Sequence, residues 1–205
     1  PDFRWTCIYA FEAECDALGK TVRADQIEDV ACLLRDLDAI VDADQKAFVL
    51  QKLMASGKTA IVGVLTAICF KLFHLVDILI HMPPSFNFTV EILNYERGLK
   101  PFGISPLLIQ YSRQLPPVVV EGEYKPQSSH AEATSLLQKK VALTSGSRDF
   151  FLVIAPETML SLSNMRIMWE SAESKPAHLN GLKQVFHQFS AKGHVIIDEL
   201  QLTAD

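Results

Sequence analysis

Two short stretches combine residue types that could do chemistry together. The first is Ser56-Gly57-Lys58-Thr59, led into by Ala47, Phe48, Val49 and Leu50 and followed by a long apolar run over 60–73. That order predicts strand, tight turn and helix. A triphosphate is held by backbone N–H groups that point inward, and a helix N-terminus supplies them with a favourable dipole. Gly57 leaves room for close backbone approach. Lys58 would reach the β- and γ-phosphates of ATP, and the Thr59 hydroxyl would ligate Mg²⁺. The second stretch is Asp198-Glu199, which follows Gly193 and the apolar Val195, Ile196 and Ile197. Three consecutive apolar residues suit a strand buried on both faces of a parallel sheet. Ligands bind beyond the carboxyl ends of such strands. Asp198 would hold Mg²⁺ directly or through water, and Glu199 would orient or deprotonate the attacking water. Each stretch has a plainer reading: a loop with a solvated Lys58, and an acidic turn after an ordinary strand. Together, in this order, they predict ATP binding and hydrolysis.

The elements that must position these residues follow from the apolar rhythm. Trp5, Ile8, Tyr9, Phe11, Cys15 and Leu18 fall loosely on one side of a helix predicted over 2–18, stopped by Gly19. Asp25 and Glu28 have the spacing of a capping box. Ile27, Val30, Leu33, Leu34 and Leu37 then continue an amphipathic helix, and Asp36, Asp38, Asp42 and Asp44 predict an exposed acidic linker. The chain then reads as strand 47–52, helix 58–73, strand 76–80 ending at His81 and Pro83, and helix 87–97 closed by Gly98. Prolines at 101, 106, 116, 117 and 126 punctuate the next region, in which 107–111 and 118–120 could be strands. A helix to about residue 143, strand 150–154, helices 157–170 and 179–190, and strand 194–197 complete a βαβ-rich pattern. The implied organisation is an N-terminal helical segment, 1–44, and an ATP-binding domain, 45–205.

Composition sets the outer bounds. The chain has 205 residues, 49% hydrophobic and 21% charged, with a net charge of −5. That suits one globular domain with a small helical addition and advertises no global attraction for nucleic acid. Cys7, Cys15, Cys32 and Cys69 form no C-x-x-C pair, so a zinc or disulfide framework is not expected. Reduced cysteines fit a cytoplasmic or other reducing intracellular compartment. Lys71, His74 and Asp77 interrupt the apolar 60–80 stretch, so no membrane partner is expected.

In order, these residues resemble the first RecA-like domain of a superfamily 2 helicase-like ATPase. The loop over 51–59, with Gln51, Met54 and Ser56-Gly57-Lys58-Thr59, is similar to that of the large, poorly characterised helicase-like ATPases. The resemblance implies a three-layer α/β P-loop NTPase domain with a mostly parallel central sheet, preceded by N-terminal helices. It implies that Gln26 reads adenine, and that Ala55, Ser56, Gly57, Lys58 and Thr59 hold the nucleotide. Lys58 and Glu199 would be catalytic, and Thr59 and Asp198 would hold Mg²⁺. Ala155-Pro156-Glu157 resembles a Thr-Pro-Glu element that contacts the backbone of RNA or DNA, and Pro83 with Pro84 resembles the other such element. The chain departs from the pattern at Lys52 and Ala55, where glycine is usual, and at Ala155, which lacks the hydroxyl. Lys58 and Asp198 are 140 residues apart, with the excess expected in the proline-rich region. The resemblance further implies a longer chain with a second RecA-like domain that supplies an arginine finger, so that this portion alone would hydrolyse ATP slowly.

Other readings stay open. The chain could be a degenerate nucleotide-binding scaffold or regulatory module without turnover, to which Ala55 and the negative charge lean. A P-loop kinase or unrelated NTPase is a third reading, but Glu199 points to water rather than an acceptor hydroxyl. Trp5, Phe11 and Trp169 are expected as packing aromatics, and His74, His178 and His187 on helix surfaces. His81 ends its strand near the ligand edge with no second metal ligand in view. Arg113, Lys139, Lys140 and Arg148 are expected on a solvated face.

Overall fold

The computed structural model describes residues 3–40, 58–73, 77–83, 88–111, 118–120, 123–125 and 129–197. It opens with α1 (Phe3–Ala17) and α2 (Ala24–Ile40). A wide π-helical turn over Lys58–Gly63 then runs straight into α3 (Val64–Leu72). β1 (Ile78–Met82), α4 (Phe88–Leu99), β2 (Ser105–Ile109) and a small antiparallel hairpin of β3 (Val118–Val120) and β4 (Glu123–Lys125) follow. The chain continues through α5 (His130–Thr144), β5 (Phe150–Ile154), α6 (Pro156–Ser171), α7 (Leu179–Lys192) and β6 (Gly193–Ile197).

Four strands form one all-parallel sheet in the order β2-β5-β1-β6. Because strand side chains alternate, each strand feeds two cores. Leu79, Phe151 and Val153 face α1, α2, α3 and α4 through Phe11, Val30, Ile68 and Tyr95. Ile78, Ile80, Leu152 and Ile154 face α5, α6 and α7 through Leu137, Leu162 and Leu182. The result is an α/β fold in which helices cover both faces of a parallel sheet, as such sheets require. The N-terminal helices share one continuous core with α3 rather than standing apart.

The connections obey one hand. The β1-α4-β2 crossover moves across the sheet in one direction through the first face. The crossovers β2 to β5 and β5 to β6 move the other way through the second face. Opposite directions on opposite faces are the same handedness, as the right-handed rule demands.

Several boundaries differ from the sequence reading. α2 continues to Ile40 through Asp36 and Asp38, which were expected in the linker. β1 starts and ends two residues later than predicted, because His81 is buried like its apolar neighbours. Gly98 lies inside α4 rather than closing it. A Cβ there would sit 2.7 Å from Val64 Cγ1, so glycine lets α4 press against α3. The chain turns instead at Gly103, whose φ of +70° suits a residue without Cβ. Trp5 is 47% exposed rather than packed, whereas Phe11 and Trp169 are buried as expected.

No described helix is long and apolar enough to cross a membrane.

Candidate functional site

The four parallel strands end together at Met82, Ile109, Ile154 and Ile197. From β1 the chain turns to α4 on the first face, and from its neighbour β5 it turns to α6 on the second. Adjacent strands whose connections leave in opposite directions open a crevice at their carboxyl ends, where ligands bind in open α/β sheets. His81, Met82 and Pro83 border it from β1, and Ala155, Pro156 and Glu157 from β5.

Helix geometry brings the Lys58 turn to this same edge. The far end of α3 lies at the start of β1, where Lys71 Nζ donates to the Asp77 carbonyl at 3.3 Å. The continuous helix over 58–72 then runs back across the first face for about 20 Å, more than the length of a five-residue strand. Lys58 and Thr59 are therefore helical, and by this geometry lie toward the carboxyl side of the sheet. A π-helical turn bonds each N–H five residues back, and such turns concentrate at functional sites. β6 ends at Ile197, immediately before Asp198. Ala55, Ser56, Gly57, Asp198, Glu199 and the predicted strand 47–52 lie outside the described residues, and for Lys58 and Thr59 the description covers the backbone. Pro84, His74 and Arg113 also lie outside it.

Gln26 is 2% exposed in the first turn of α2, and its Oε1 accepts the Arg23 N–H at 2.9 Å. It thus holds the start of the helix that packs on the Lys58 turn. The expected capping box is not formed by Asp25, whose carboxylate instead takes the Arg23 guanidinium at 3.1 Å. Reading adenine would require the buried Gln26 amide to be uncovered to a base.

Pro83 is buried, Ala155 and Pro156 are half-buried, and Glu157 is exposed. Ala155 occupies the N-cap of α6 and offers no side-chain acceptor, with proline in the first turn. Lys140 is engaged internally, donating to the Leu108 carbonyl at 2.6 Å, and burial pushes its ammonium below the ordinary lysine range.

His81 is a buried titratable group at this edge. It is 1% exposed, its ring lies 4.5 Å from that of Tyr95 in a tilted contact, and its Nδ1 has no hydrogen-bond partner among the described residues. Burial pulls its pKa down to about 3, so it is a neutral imidazole at pH 7. Among the described residues no three His, Cys, Asp or Glu side chains converge to hold a metal.

Sequence reasoning missed a second cluster on the opposite face. His130 starts α5 and His178 immediately precedes α7, and the rings of both meet Trp169 at the end of α6. His178 is half-buried rather than on a helix surface, whereas His187 is exposed as expected. The only sequence signal was the placement of both histidines at predicted helix starts. Their shared neighbour is set by tertiary packing.

No protein-family model matches the chain, and no match was found among curated proteins or solved structures.

Proposed function

We propose that this chain is an ATP-binding domain of the RecA-like P-loop type, the N-terminal motor half of a helicase-like ATPase. The observation that carries the reading is the helix over Lys58–Leu72, whose first described residues lie toward the carboxyl ends of the parallel strands, the side on which β6 reaches Ile197. Handedness supports it. The Lys58 helix lies on the first face and leads into β1, so a parallel strand feeding it belongs on the β6 side of β1. A strand at 47–52 would then deliver Ser56 and Gly57 to the side of the sheet that carries Asp198 and Glu199.

In this reading the N–H groups of the first turn and Lys58 hold the phosphates, and Glu199 orients the attacking water. The Thr59 hydroxyl and the Asp198 carboxylate are hard oxygen donors of the kind Mg²⁺ takes, and the ion would neutralise phosphate charge. The start of α6, which no side chain caps, could take a backbone phosphate of RNA or DNA beside Ala155-Pro156-Glu157.

The test is calorimetric titration of the 205-residue protein with ATP and Mg²⁺, beside Lys58→Ala. Binding should be lost in the variant while its helical content is kept. Equal affinity of the two proteins would overturn the phosphate-loop assignment. A second reading, a nucleotide-binding module without turnover, draws support from Gln26, whose oxygen already serves the α2 start. It predicts binding with little preference for the base and no phosphate release.

A further inference from the structure

Four rings from four different elements form a ladder on the second face. Tyr111, just beyond β2, places its hydroxyl 3.5 Å from His130 Nδ1. The His130 ring lies 5.5 Å from Trp169 at an interplanar angle of 74°, and Trp169 lies 4.4 Å from His178 at 83°. Trp169, the last buried residue of α6, is therefore held between the starts of α5 and α7 by two imidazoles.

The ladder tolerates neutral rings better than charged ones. His178 Nε2 is buried and has no hydrogen-bond partner among the described residues. A proton placed there would point an N–H at no acceptor. His178 also sits at a helix N-terminus, where the helix dipole disfavours positive charge. Burial, and then the His130 charge, hold His178 below the ordinary histidine range. The other groups offer little compensation. Burial, against a hydrogen bond with Thr134, pushes the Tyr111 phenol up, so it stays neutral. Glu132 on α5, Glu170 on α6, and Glu173 and Lys175 between α6 and α7 are exposed. Glu170 is paired with Lys183 of α7 at 3.3 Å.

We propose that Trp169 with His130 and His178 is a pH-sensitive latch that fastens the α6–α7 hairpin to α5, and that double protonation of the histidine pair releases it. The charged pair is relieved only when the first turn of α7 withdraws from α6 and admits water to Trp169. Because α7 runs without a break into β6, the release is passed to the strand at the sheet edge. The inference does not depend on ATP binding.

Tryptophan emission tests it in a Trp5→Phe background, since Trp5 is 47% exposed and would obscure the signal. Emission and far-UV circular dichroism are followed together from pH 8 to pH 4.5. The expected result is a red shift of Trp169 emission with a midpoint below about 6.5, while the helical signal is unchanged. His130→Gln should move that midpoint downward, because no charged pair can then form to drive the release, and His178→Gln should abolish the shift. Emission that changes only with loss of helical signal, or a midpoint indifferent to His130→Gln, would overturn the latch. If His178→Gln fails to fold, the His130→Gln shift decides alone.

Discussion

His81 should make the protein sensitive to acid through a single proton. Its imidazole is 1% exposed, packed against Tyr95 and without a partner for Nδ1 among the described residues, and burial pulls its pKa from 6.5 to about 3. Above pH 6.5 the ring is neutral in the folded and unfolded chains, so it exerts no pH-dependent effect. Below that, the unfolded chain takes up a proton that the folded chain refuses. Stability therefore falls as pH drops, by about 1.4 kcal/mol per unit, between the unfolded and folded values. At pH 4.5, two units below the unfolded value, the loss is roughly 2.7 kcal/mol, and fully developed it approaches about 5 kcal/mol. Against a total of about 5–15 kcal/mol for a domain, that is enough to bring on acid unfolding. His81→Phe keeps a ring against Tyr95 and removes the titration. Urea unfolding at pH 7, 5.5 and 4.5 measures both proteins. Whatever its stability at pH 7, the fall of the variant toward pH 4.5 should be shallower by about 2–3 kcal/mol. Equal falls in the two proteins would refute the argument, as would a His81 ring resonance that titrates near 6.5.

Two further outcomes concern the packing that positions the site. Gly98→Ala gains about 1 kcal/mol of helix propensity but drives a methyl into Val64, a stiff side chain, so a net loss of about 1–2 kcal/mol is expected. In a Val64→Ala background the loss should disappear, which thermal unfolding of the four proteins of the cycle would show. Asp77 accepts the Gly146 N–H and the Ser145 hydroxyl, and pairs with Lys192 at 3.0 Å. Burial opposes its charge, but Lys192, Gly146 and Ser145 outweigh that and hold its carboxyl below the usual range. Its contribution is then complete above the unfolded pKa of about 3.9 and is lost as pH falls through the folded value. Asp77→Ala should cost about 1–2 kcal/mol at pH 7, mostly through the Gly146 and Ser145 bonds because Lys192 is half exposed, and less at pH 3, below the unfolded value. Urea midpoints at the two pH values decide it.

The sheet was largely legible in the sequence, and its limits are physical. Phe150–Ile154 stands out as an uninterrupted apolar run, and the Gly193–Ile197 strand was misplaced by one residue. β1 was harder because a histidine normally reads as an exposed end, whereas here the Tyr95 ring makes a buried place for it. β2 was shifted because Pro106 argues against a strand, yet proline is admitted where a strand lies at a sheet edge. The helix that carries the apolar run after Lys58 was legible, since a continuous apolar stretch of this length suits a buried helix. The bond from Arg23 to Gln26 was not, because composition cannot say which backbone group a buried amide will serve. Nor was the meeting of His130 with His178 across Trp169, which depends on how α5, α6 and α7 pack.

The two margins of the described sheet are built differently, and the difference bears on the site. β2 has the marks of a finished edge: Pro106 removes an N–H, and Lys140 caps the Leu108 carbonyl. β6 has neither. Its Val195 and Ile197 are 47% and 42% exposed on the face of α7, while Ile196 packs on the opposite core. A strand with three consecutive apolar residues and no charge is the composition of a sheet interior. β6 thus combines an interior sequence with an edge position among the described residues. Handedness sends any strand that feeds the Lys58 helix to this same side of β1. The ATP reading accounts for both facts at once: it asks for a further strand there, and it asks that the glycine-lysine turn leave the sheet beside the residues that follow Ile197.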